Sequence, residues 1–376
     1  MITNKKTFIF ISETNFKNKR LTGAHKRFLE LVRTLAERDD VILVTNEIPQ
    51  LQEIKNITFY YIKESKMNFP SHIKGIIDIW KVLHKIKKNI NYDYAISFGA
   101  SSTLCYFLAG YNNIVSLFRE DTIGYLKCLK ISRLRMLYFT TLEKIAVKKS
   151  SKIIVQCIND KKSLVERNVK HCKDVERKTY IQINNANASW MSYDSIKCKK
   201  SLDGVVRVLF IGDFSNKRKG HSVLLPAFKK LIDEGYKVEL FVAGDGDELK
   251  SYSEIYKEYE KIHFLGRVDI KEYISVCDFE LVPSFIDSCP NTILEGLNAG
   301  ITVYGANTGG IPDLLEKEEY LFNPDSNSIY SFVRDVIDKK RYINDLEKQK
   351  SIKNNLTFNW GLKIRDIILN EVDRNE

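Results

Sequence analysis

Two carboxylates in one short segment could bind a ligand together. Asp287 and Glu295 lie in the sequence PSFIDSCPNTILEGLNAG, with seven residues between them. The apolar run before this segment predicts a strand, and Pro290 fits the first position of a helix, where its missing N–H is not needed. Asp287 would then lie in the loop at the carboxyl end of the strand, and Glu295 about one turn inside the helix.

The first turn of this predicted helix would present backbone N–H groups without intrahelical partners near Asn291 and Thr292. Such groups bind an anion such as phosphate, and a carboxylate one turn further along can accept hydrogen bonds from sugar hydroxyls. The layout suits a nucleoside diphosphate with its ribose. A purely structural interpretation stays open, because Thr292 and Glu295 also have capping-box spacing.

Cations at a second strand-to-helix junction support phosphate binding. In FIGDFSNKRKGHSVLLPAF a strand ends at Gly212, a loop carries Lys217, Arg218 and Lys219, and Gly220 opens a helix. Cations beside a helix N-terminus, at the carboxyl end of a parallel strand, form a clamp for a diphosphate. The alternative is a solvated basic loop.

Strands and helices alternate along the chain, and this order positions the two loops. Apolar runs such as KTFIFIS, DVILVTN, VVRVLFIG and KVELFVAG are separated by helical patterns, which predicts parallel sheets covered by helices. The pattern restarts after a polar stretch at 191–204. We therefore predict an α/β protein with two doubly wound domains, residues 1–195 and 196–356, and a ligand cleft at the carboxyl ends of their strands. An amphipathic segment at 357–376 follows.

The two halves of the chain carry opposite charge. Residues 1–200 contain 36 Lys and Arg against 18 Asp and Glu, whereas the remainder contains 23 against 30. With 376 residues, of which 44% are hydrophobic, this supports two globular domains. A basic first half indicates contact with an anionic membrane, acceptor or nucleic acid, and a solvated basic face is the alternative.

Cysteine and histidine usage indicates no metal site. The seven cysteines form no C-x-x-C pair, and the six histidines lack metal-ligand spacing. We therefore expect no metal or other cofactor, and a reducing, cytoplasmic environment. Residues 94–118 are uncharged and long enough to span a bilayer, but Asn112, Asn113 and two glycines lie where strand, helix and strand would change over. We expect a buried β-α-β unit there, with a membrane segment as the alternative.

An ordered set of motifs in the second half resembles one known family. GDFSNKRKG, LFVAGDG, IHFLGRVD, VPSFIDSCPNTILEGLNAG and GANTGGIPDLL resemble the corresponding motifs of the retaining glycosyltransferases of family four, which have the two-Rossmann GT-B fold. The set covers residues 205–325. The first half is similar only through Gly23 after the first strand and SLFRED before a basic stretch. The resemblance implies a retaining glycosyltransferase that uses a nucleotide-sugar, in our interpretation a UDP-sugar, without a metal.

The resemblance implies a role for each matching residue. Arg218 and Lys219 would hold the donor diphosphate. Glu295 would bind the ribose, and Asp287 would face the transferred sugar. Backbone near Arg267 and Val268 would contact the base, and backbone of the segment from Cys289 to Thr292 would contact phosphate. The implied donor-binding residues are Gly23, Gly212, Arg267, Val268, Cys289, Pro290, Asn291 and Thr292. The last helix of the family usually returns to the first domain, a role that suits residues 357–376.

Two positions depart from the family pattern. The first acid of the pair is usually a glutamate, whereas here it is Asp287, whose side chain is one methylene shorter. Many members have an arginine after the glycine of the first clamp, whereas this chain has Asp213. One phosphate contact would therefore be missing or supplied by another residue.

The family resemblance suggests front-face displacement, in which the leaving diphosphate takes the acceptor proton while the protein orients the reactants and stabilises charge. The first half would bind the acceptor through Arg119, Glu120 and Asp121, or these residues form an internal ion pair that closes a strand. The basic run 125–152 suits attachment to an anionic membrane, and a core helix with a solvated basic face is the alternative. We expect a lipid-linked saccharide acceptor at the cytoplasmic face, as in cell-surface polysaccharide synthesis.

Two other functions fit parts of the sequence. A nucleotide-sugar 2-epimerase has the same architecture, but such enzymes usually carry more histidine and acid chemistry than this chain offers. A non-catalytic basic binding protein, for example for nucleic acid, would not need the diphosphate clamp, and the first half has no aromatic and basic recognition motif. We therefore expect no nucleic-acid partner.

Overall fold

The computed structural model describes residues 5–12, 21–46, 51–62, 71–129, 131–191, 203–215 and 217–369. The chain divides into two compact units. The first comprises Met1–Gln182 and Asn359–Glu376, and the second comprises Ile183–Phe358. Most of the polar stretch at 191–204, Lys130 in the basic run and the end of the 357–376 segment lie outside the described residues.

The division between the units precedes residue 195, where the sequence placed it. Ala186, Ala188 and Met191 are buried in the core of the second unit. The Ala186 N–H also donates to the Leu356 carbonyl, at 2.8 Å. These contacts join the segment after Gln182 to the second unit. The apolar side chains of this segment pack into the core of that unit, although most of their neighbours in the sequence are polar.

The first unit is built on a parallel sheet. Its strands are β1 Thr7–Ser12, β2 Asp40–Thr45, β3 Ile57–Tyr61, β4 Tyr94–Phe98, β5 Ile114–Leu117, β6 Lys152–Val155 and β7 Thr179–Ile181. Its helices before the second unit are α1 Gly23–Ala36, α2 Ser71–Asn89, α3 Ala100–Leu108, α4 Thr122–Cys128, α5 Arg133–Lys149, α6 Ile158–Arg167 and α7 Cys172–Lys178. The strand order is β3-β2-β1-β4-β5-β6-β7. Because the order reverses after β1 and crossovers are right-handed, the helices cover both faces of the sheet.

The uncharged stretch at 94–118 folds as the predicted β-α-β unit of β4, α3 and β5. The strands pair in parallel, and Cys105 and Tyr106 of the helix are buried against them. Of the helices in the described part of the chain, none combines the length and the hydropathy that crossing a bilayer requires.

The second unit is a second parallel sheet. Its strands are β8 Val206–Ile211, β9 Val238–Ala243, β10 Ile262–Gly266, β11 Phe279–Val282, β12 Thr302–Ala306 and β13 Leu321–Phe322. Its helices are α8 His221–Asp233, α9 Leu249–Ile255, α10 Ile270–Ile274, α11 Asn291–Ala299, α12 Ile311–Leu315, α13 Ser326–Asp338 and α14 Arg341–Asn355. The strand order is β10-β9-β8-β11-β12-β13. Apolar runs fill these strands because both faces of a parallel sheet are buried.

The order of this sheet reverses between β8 and β11, which are neighbours in it. Phe279 lies opposite Val208 and Glu280 opposite Leu209. The loops that follow the two strands therefore emerge side by side at the carboxyl edge, which is where open α/β sheets bind ligands.

The last described helix, α15 Trp360–Leu369, belongs to the first unit and packs on α1. The Arg365 guanidinium donates to both carboxylate oxygens of Asp39, at 2.6 and 3.0 Å. Gly361 lies directly against Thr34, where a Cβ would come within 2.6 Å of the threonine Cβ. A buried bidentate ion pair and a close helix contact thus hold α15 in place.

Candidate functional site

The two loops at the carboxyl edge of the second sheet contact each other through their backbones. We call residues 212–220 the cationic loop and residues 283–290 the acidic loop. The Phe285 N–H of the acidic loop donates to the Arg218 carbonyl of the cationic loop, at 2.9 Å. Gly220 has φ +79°, and a Cβ there would lie 1.9 Å from the Pro283 carbonyl oxygen. Only glycine therefore fits where the two loops meet.

An ion pair joins the side chains of the same two loops. Lys219 Nζ lies 2.6 Å from Asp287 Oδ2, and the side chains are only 15% and 11% exposed. The other carboxylate oxygen of Asp287 accepts the Cys289 N–H at 3.3 Å. The structure thus brings together a cation and an acid that are 68 residues apart in the sequence.

A third segment fixes the backbone of the acidic loop. The Gly310 N–H donates to the Asp287 carbonyl at 2.9 Å, and the Thr308 hydroxyl donates to the Ser284 carbonyl at 2.7 Å. Gly309 has φ +57°, and a Cβ there would lie 2.2 Å from the Asp287 carbonyl oxygen. The GANTGG motif therefore holds Asp287 in position.

Helix α11 begins one residue later than its proline suggests. Pro290 is the N-cap, with φ −63° and an extended ψ of 120°, and not the first helical residue as predicted. No side chain caps the helix, so the capping-box interpretation of Thr292 and Glu295 is wrong: the helix already includes Thr292. The first N–H groups of α11, from Asn291 on, therefore have no acceptor in their own helix.

Glu295 lies one turn inside α11, next to a second, buried carboxyl group. Glu280 of β11 is fully buried, and its Oε2 would lie 2.4 Å from a Cβ at Gly296. Burial raises the pKa of Glu280 well above its ordinary value, and the charge of Glu295 adds to the shift, against the smaller opposing effects of Lys219 and the Thr292 hydroxyl. Burial therefore favours the neutral form of Glu280. A lone acid in the apolar run FELV is the feature of the sequence that could have indicated this group.

A buried histidine packs against a residue of the cationic loop. His221, the first residue of α8, stacks on Phe214 with ring centroids 4.3 Å apart, and its Nε2 lies 3.1 Å from Glu248 Oε2. Burial lowers the pKa of His221, although the carboxylate of Glu248 opposes the shift. The imidazole is therefore a neutral packing element of the loop, a role that the sequence analysis did not assign.

The other donor-side candidates lie at the same edge of the second sheet. Arg267 is exposed and Val268 half-buried in the loop after β10. The Gly212 N–H donates to the Ala243 carbonyl at 3.0 Å, so this glycine links the ends of two strands. Asp213, which stands where many family members have arginine, accepts the Ser215 N–H and closes its own turn.

The first-unit candidates have mostly structural contacts. Gly23 begins α1, and Arg119 donates to the Ala24 carbonyl at 2.8 Å. Asp121 caps α4 and forms an ion pair with Arg167 at 2.9 Å. Of Arg119, Glu120 and Asp121, Asp121 thus forms an internal ion pair, which is the structural alternative considered for these three residues. Glu120 lies beside it, half-buried at the carboxyl end of β5.

Among the residues that the structure describes, no group of three or more His, Cys, Asp or Glu is arranged to hold a metal ion. The cysteines in those ranges are free thiols. Arg218, Lys219, Asp287 and Glu295 are the charged candidates on the cationic loop, the acidic loop and helix α11.

The sequence of the second unit matches a known family. Residues 205–339 match the model of the family described as Glycosyl transferases group 1. A curated relative, protein CapJ of Staphylococcus aureus, is 28% identical over 186 residues, which are 46% of this chain and 47% of the relative. The chain is thus matched over about half the length of this relative. The family resemblance of the motifs is confirmed.

Solved structures resemble this chain over nearly its whole length. Sucrose-phosphate synthase from Thermosynechococcus elongatus has a TM-score of 0.73 at 14% identity, with 96% of this chain and 98% of that chain covered. Anabaena Alr3699/HepE in complex with UDP has a TM-score of 0.68 at 14% identity, with the same coverage. At these identities the likeness shows the fold alone, and it confirms the predicted GT-B class.

The contact at Gly220 predicts a position-specific loss of stability. Gly220→Ala and Gly235→Ala both place a side chain at positive φ, +79° and +84°, at the two ends of α8. Each should lose about 1–2 kcal/mol of unfolding free energy from backbone strain. Only Gly220 meets backbone atoms, whereas nothing lies within 4 Å at Gly235. Gly220→Ala should therefore lose about 1–3 kcal/mol more in urea titrations. Equal losses would show that the two loops are not in contact.

Buried Glu280 predicts a pH-dependent term in stability. Above the ordinary pKa of a glutamate, the unfolded chain releases the Glu280 proton, whereas the folded protein retains it. The folded state then binds more protons than the unfolded state. The contribution of Glu280 to the free energy of unfolding therefore falls as the pH rises. Glu280→Gln keeps the shape of the neutral acid and removes the titration. Relative to wild type, its unfolding free energy should rise by up to about 1.4 kcal/mol per pH unit as the pH increases above about pH 5.

The control is Glu258→Gln, since Glu258 is an exposed acid of the same unit. Its pH dependence should parallel that of wild type in urea titrations. If Glu280→Gln also parallels wild type, Glu280 is ionised in the folded protein and our assignment fails.

Proposed function

We propose that this protein is a retaining glycosyltransferase that moves a sugar from a UDP-sugar to a saccharide or lipid-linked saccharide during cell-surface polysaccharide synthesis. The observation that carries the proposal is the contact between Lys219 and Asp287, at 2.6 Å, beside the start of α11. It joins a phosphate-binding cation to the acid expected to face the transferred sugar. The UDP bound by the structural neighbour Alr3699/HepE supports uridine as the base.

The donor diphosphate would bind among the cations and the helix start. Arg218 and Lys219 supply positive charge, and the first N–H groups of α11 supply hydrogen-bond donors together with the positive end of the helix dipole. Lys219 is held by Asp287 before any ligand arrives. Its ammonium has three N–H donors, so it can keep one bond to Asp287 and give another to a phosphate oxygen.

The transfer would exchange one bond at the anomeric carbon. The bond from this carbon to the diphosphate oxygen breaks, and a bond to the acceptor hydroxyl oxygen forms on the same face of the sugar. The acceptor proton passes to the departing diphosphate oxygen. Negative charge develops on the diphosphate, and Arg218, Lys219 and the start of α11 stabilise it. These cations would do the work that a metal ion does in other transferases, so we propose a metal-independent reaction.

The two carboxylates would orient the donor. Glu295, half-buried in α11, would accept hydrogen bonds from the ribose hydroxyls. Asp287 would accept them from the transferred sugar and hold Lys219 towards the diphosphate. Aspartate at this position is shorter than the usual glutamate, and its direct contact with Lys219 supports a role beside the residues that we propose bind the diphosphate.

The acceptor would bind to the first unit. Glu120 lies at the carboxyl end of β5 and is a candidate for contacting an acceptor hydroxyl. Helix α5 exposes Leu134 and Leu137 among basic residues, a combination that favours attachment to an anionic membrane surface. We therefore propose that the protein works at the cytoplasmic face of the membrane, where a lipid-linked acceptor is presented.

The donor site is tested by calorimetry with UDP, and with GDP and ADP alongside. Lys219→Met removes one charge-assisted hydrogen bond to phosphate and should weaken UDP binding by about 10- to 100-fold. Lys217→Met is the matched control, because Lys217 is an exposed cation of the same loop, and it should change binding by less than about threefold. Equal effects of the two variants, or unchanged binding in Lys219→Met, would contradict the proposal.

Asp287→Asn separates binding from transfer. The amide oxygen of the new side chain can still accept the hydrogen bond from Lys219 and keep the lysine in place, so UDP affinity should change little. Turnover of the UDP-sugar should fall by at least about 100-fold, because the sugar loses its orienting carboxylate. The same assay reports the product. Transfer to an acceptor with the anomeric configuration kept supports the proposal, whereas a nucleotide-sugar product without acceptor would indicate epimerase chemistry.

A further inference from the structure

The first unit contains a cavity that the proposed reaction does not use. It has a volume of about 510 Å³ and lies among the C-terminal half of α5, the end of α6, and α7. This volume is in the range of small-molecule sites. Buried Val147 and Val175 contribute to its apolar lining, and the exposed side chain of Val169 stands at its edge.

Unpaired cations surround this cavity. Lys144 and Lys148 of α5 and Lys170 after α6 line it and are exposed. Within the described chain, none of the three has a carboxylate within ion-pair distance, whereas Lys178, also in the lining, is paired with Asp174 at 3.0 Å. Like charges around one cavity repel each other, and an anion bound between them removes the repulsion.

Arg167 in the cavity wall offers no positive charge to an anion, because two carboxylates more than balance it. Its guanidinium is bound by Glu143 at 2.8 Å and by Asp121 at 2.9 Å, both of them buried carboxylates. This cluster has its own counter-charges and shapes the wall. The three lysines are therefore the groups that would meet an anion.

An apolar stripe leads to the cavity along α5. Leu134 and Leu137 are 81% and 65% exposed, and Lys144 and Lys148 follow Leu137 at spacings of seven and eleven residues. Residues at these spacings share one face of a helix. The face therefore begins with exposed leucines and ends at the basic cavity, so it has an apolar and a cationic end.

We infer that this cavity binds the phosphate headgroup of an anionic lipid while Leu134 and Leu137 contact the acyl region. Three lysines without counter-charges match a phosphate, and two exposed leucines on the same helix face match acyl chains. The inference adds a specific lipid site to the proposed membrane contact. It does not depend on the donor site, because it concerns binding and not transfer.

The test is co-sedimentation of the full chain with vesicles. Vesicles containing phosphatidylglycerol should retain the wild type, and vesicles of phosphatidylcholine alone should not. Each lysine near an anionic surface contributes about fivefold in binding, so replacing Lys144, Lys148 and Lys170 together by Gln should weaken retention by about 100-fold. The control replaces three exposed lysines elsewhere in the first unit, Lys55, Lys85 and Lys363, by Gln and removes the same charge.

The control should weaken retention far less than the cavity variant does. Equal losses would show that net charge, and not the cavity, binds the surface, and would overturn the inference. Thermal unfolding of both variants checks that they are folded.

A second pair of measurements separates lipid from free phosphate. Replacing Leu134 and Leu137 by Ser should weaken vesicle retention by at least about tenfold, since both side chains are exposed and their apolar area would be buried in the membrane. Glycerol phosphate at millimolar concentration should not displace the wild type from vesicles. Full displacement by the soluble phosphate would show that the cavity takes a soluble anion. Unchanged retention of the leucine variant would show that Leu134 and Leu137 do not contact the acyl region. Either result would overturn the lipid assignment.

Discussion

The candidate donor site depends on one ion pair between two loops that leave neighbouring strands. Lys219 and Asp287 meet at 2.6 Å because β8 and β11 are adjacent where the strand order of the second sheet reverses. Both side chains are largely buried, so water screens their attraction less than it would at the surface. The pair positions a cation and a carboxylate before a ligand binds, and pre-positioned charge is what stabilises a leaving diphosphate.

The backbone around this pair leaves little freedom for either loop. Gly220 allows the cationic loop to touch Pro283, and Gly309 allows the loop after β12 to touch Asp287. In β11, the buried acid Glu280 lies beside α11, and Gly296 of α11 leaves room for the Glu280 carboxyl group. Glycines at these three contacts thus allow the loops, and α11 with β11, to approach one another closely.

Much of this arrangement could be predicted from the sequence, because strand and helix patterns are local. Alternating apolar runs gave the two doubly wound units, and the junctions at Gly212 and Pro290 gave the two loops. Pro290 is the N-cap of α11 and not its first helical residue, because proline fits both positions. The partner of Lys219, the burial of Glu280 and the pairing of Asp121 with Arg167 depend on contacts between residues far apart in the chain. Local patterns do not contain that information.

The most direct test of the account is a crystal structure of the protein with UDP. We predict a β-phosphate oxygen within about 3.2 Å of Lys219 Nζ, with further phosphate contacts from Arg218 and the first N–H groups of α11. The ribose hydroxyls should bond to Glu295. A nucleotide bound away from the cationic loop, with Lys219 bonded to Asp287 alone, would contradict the account.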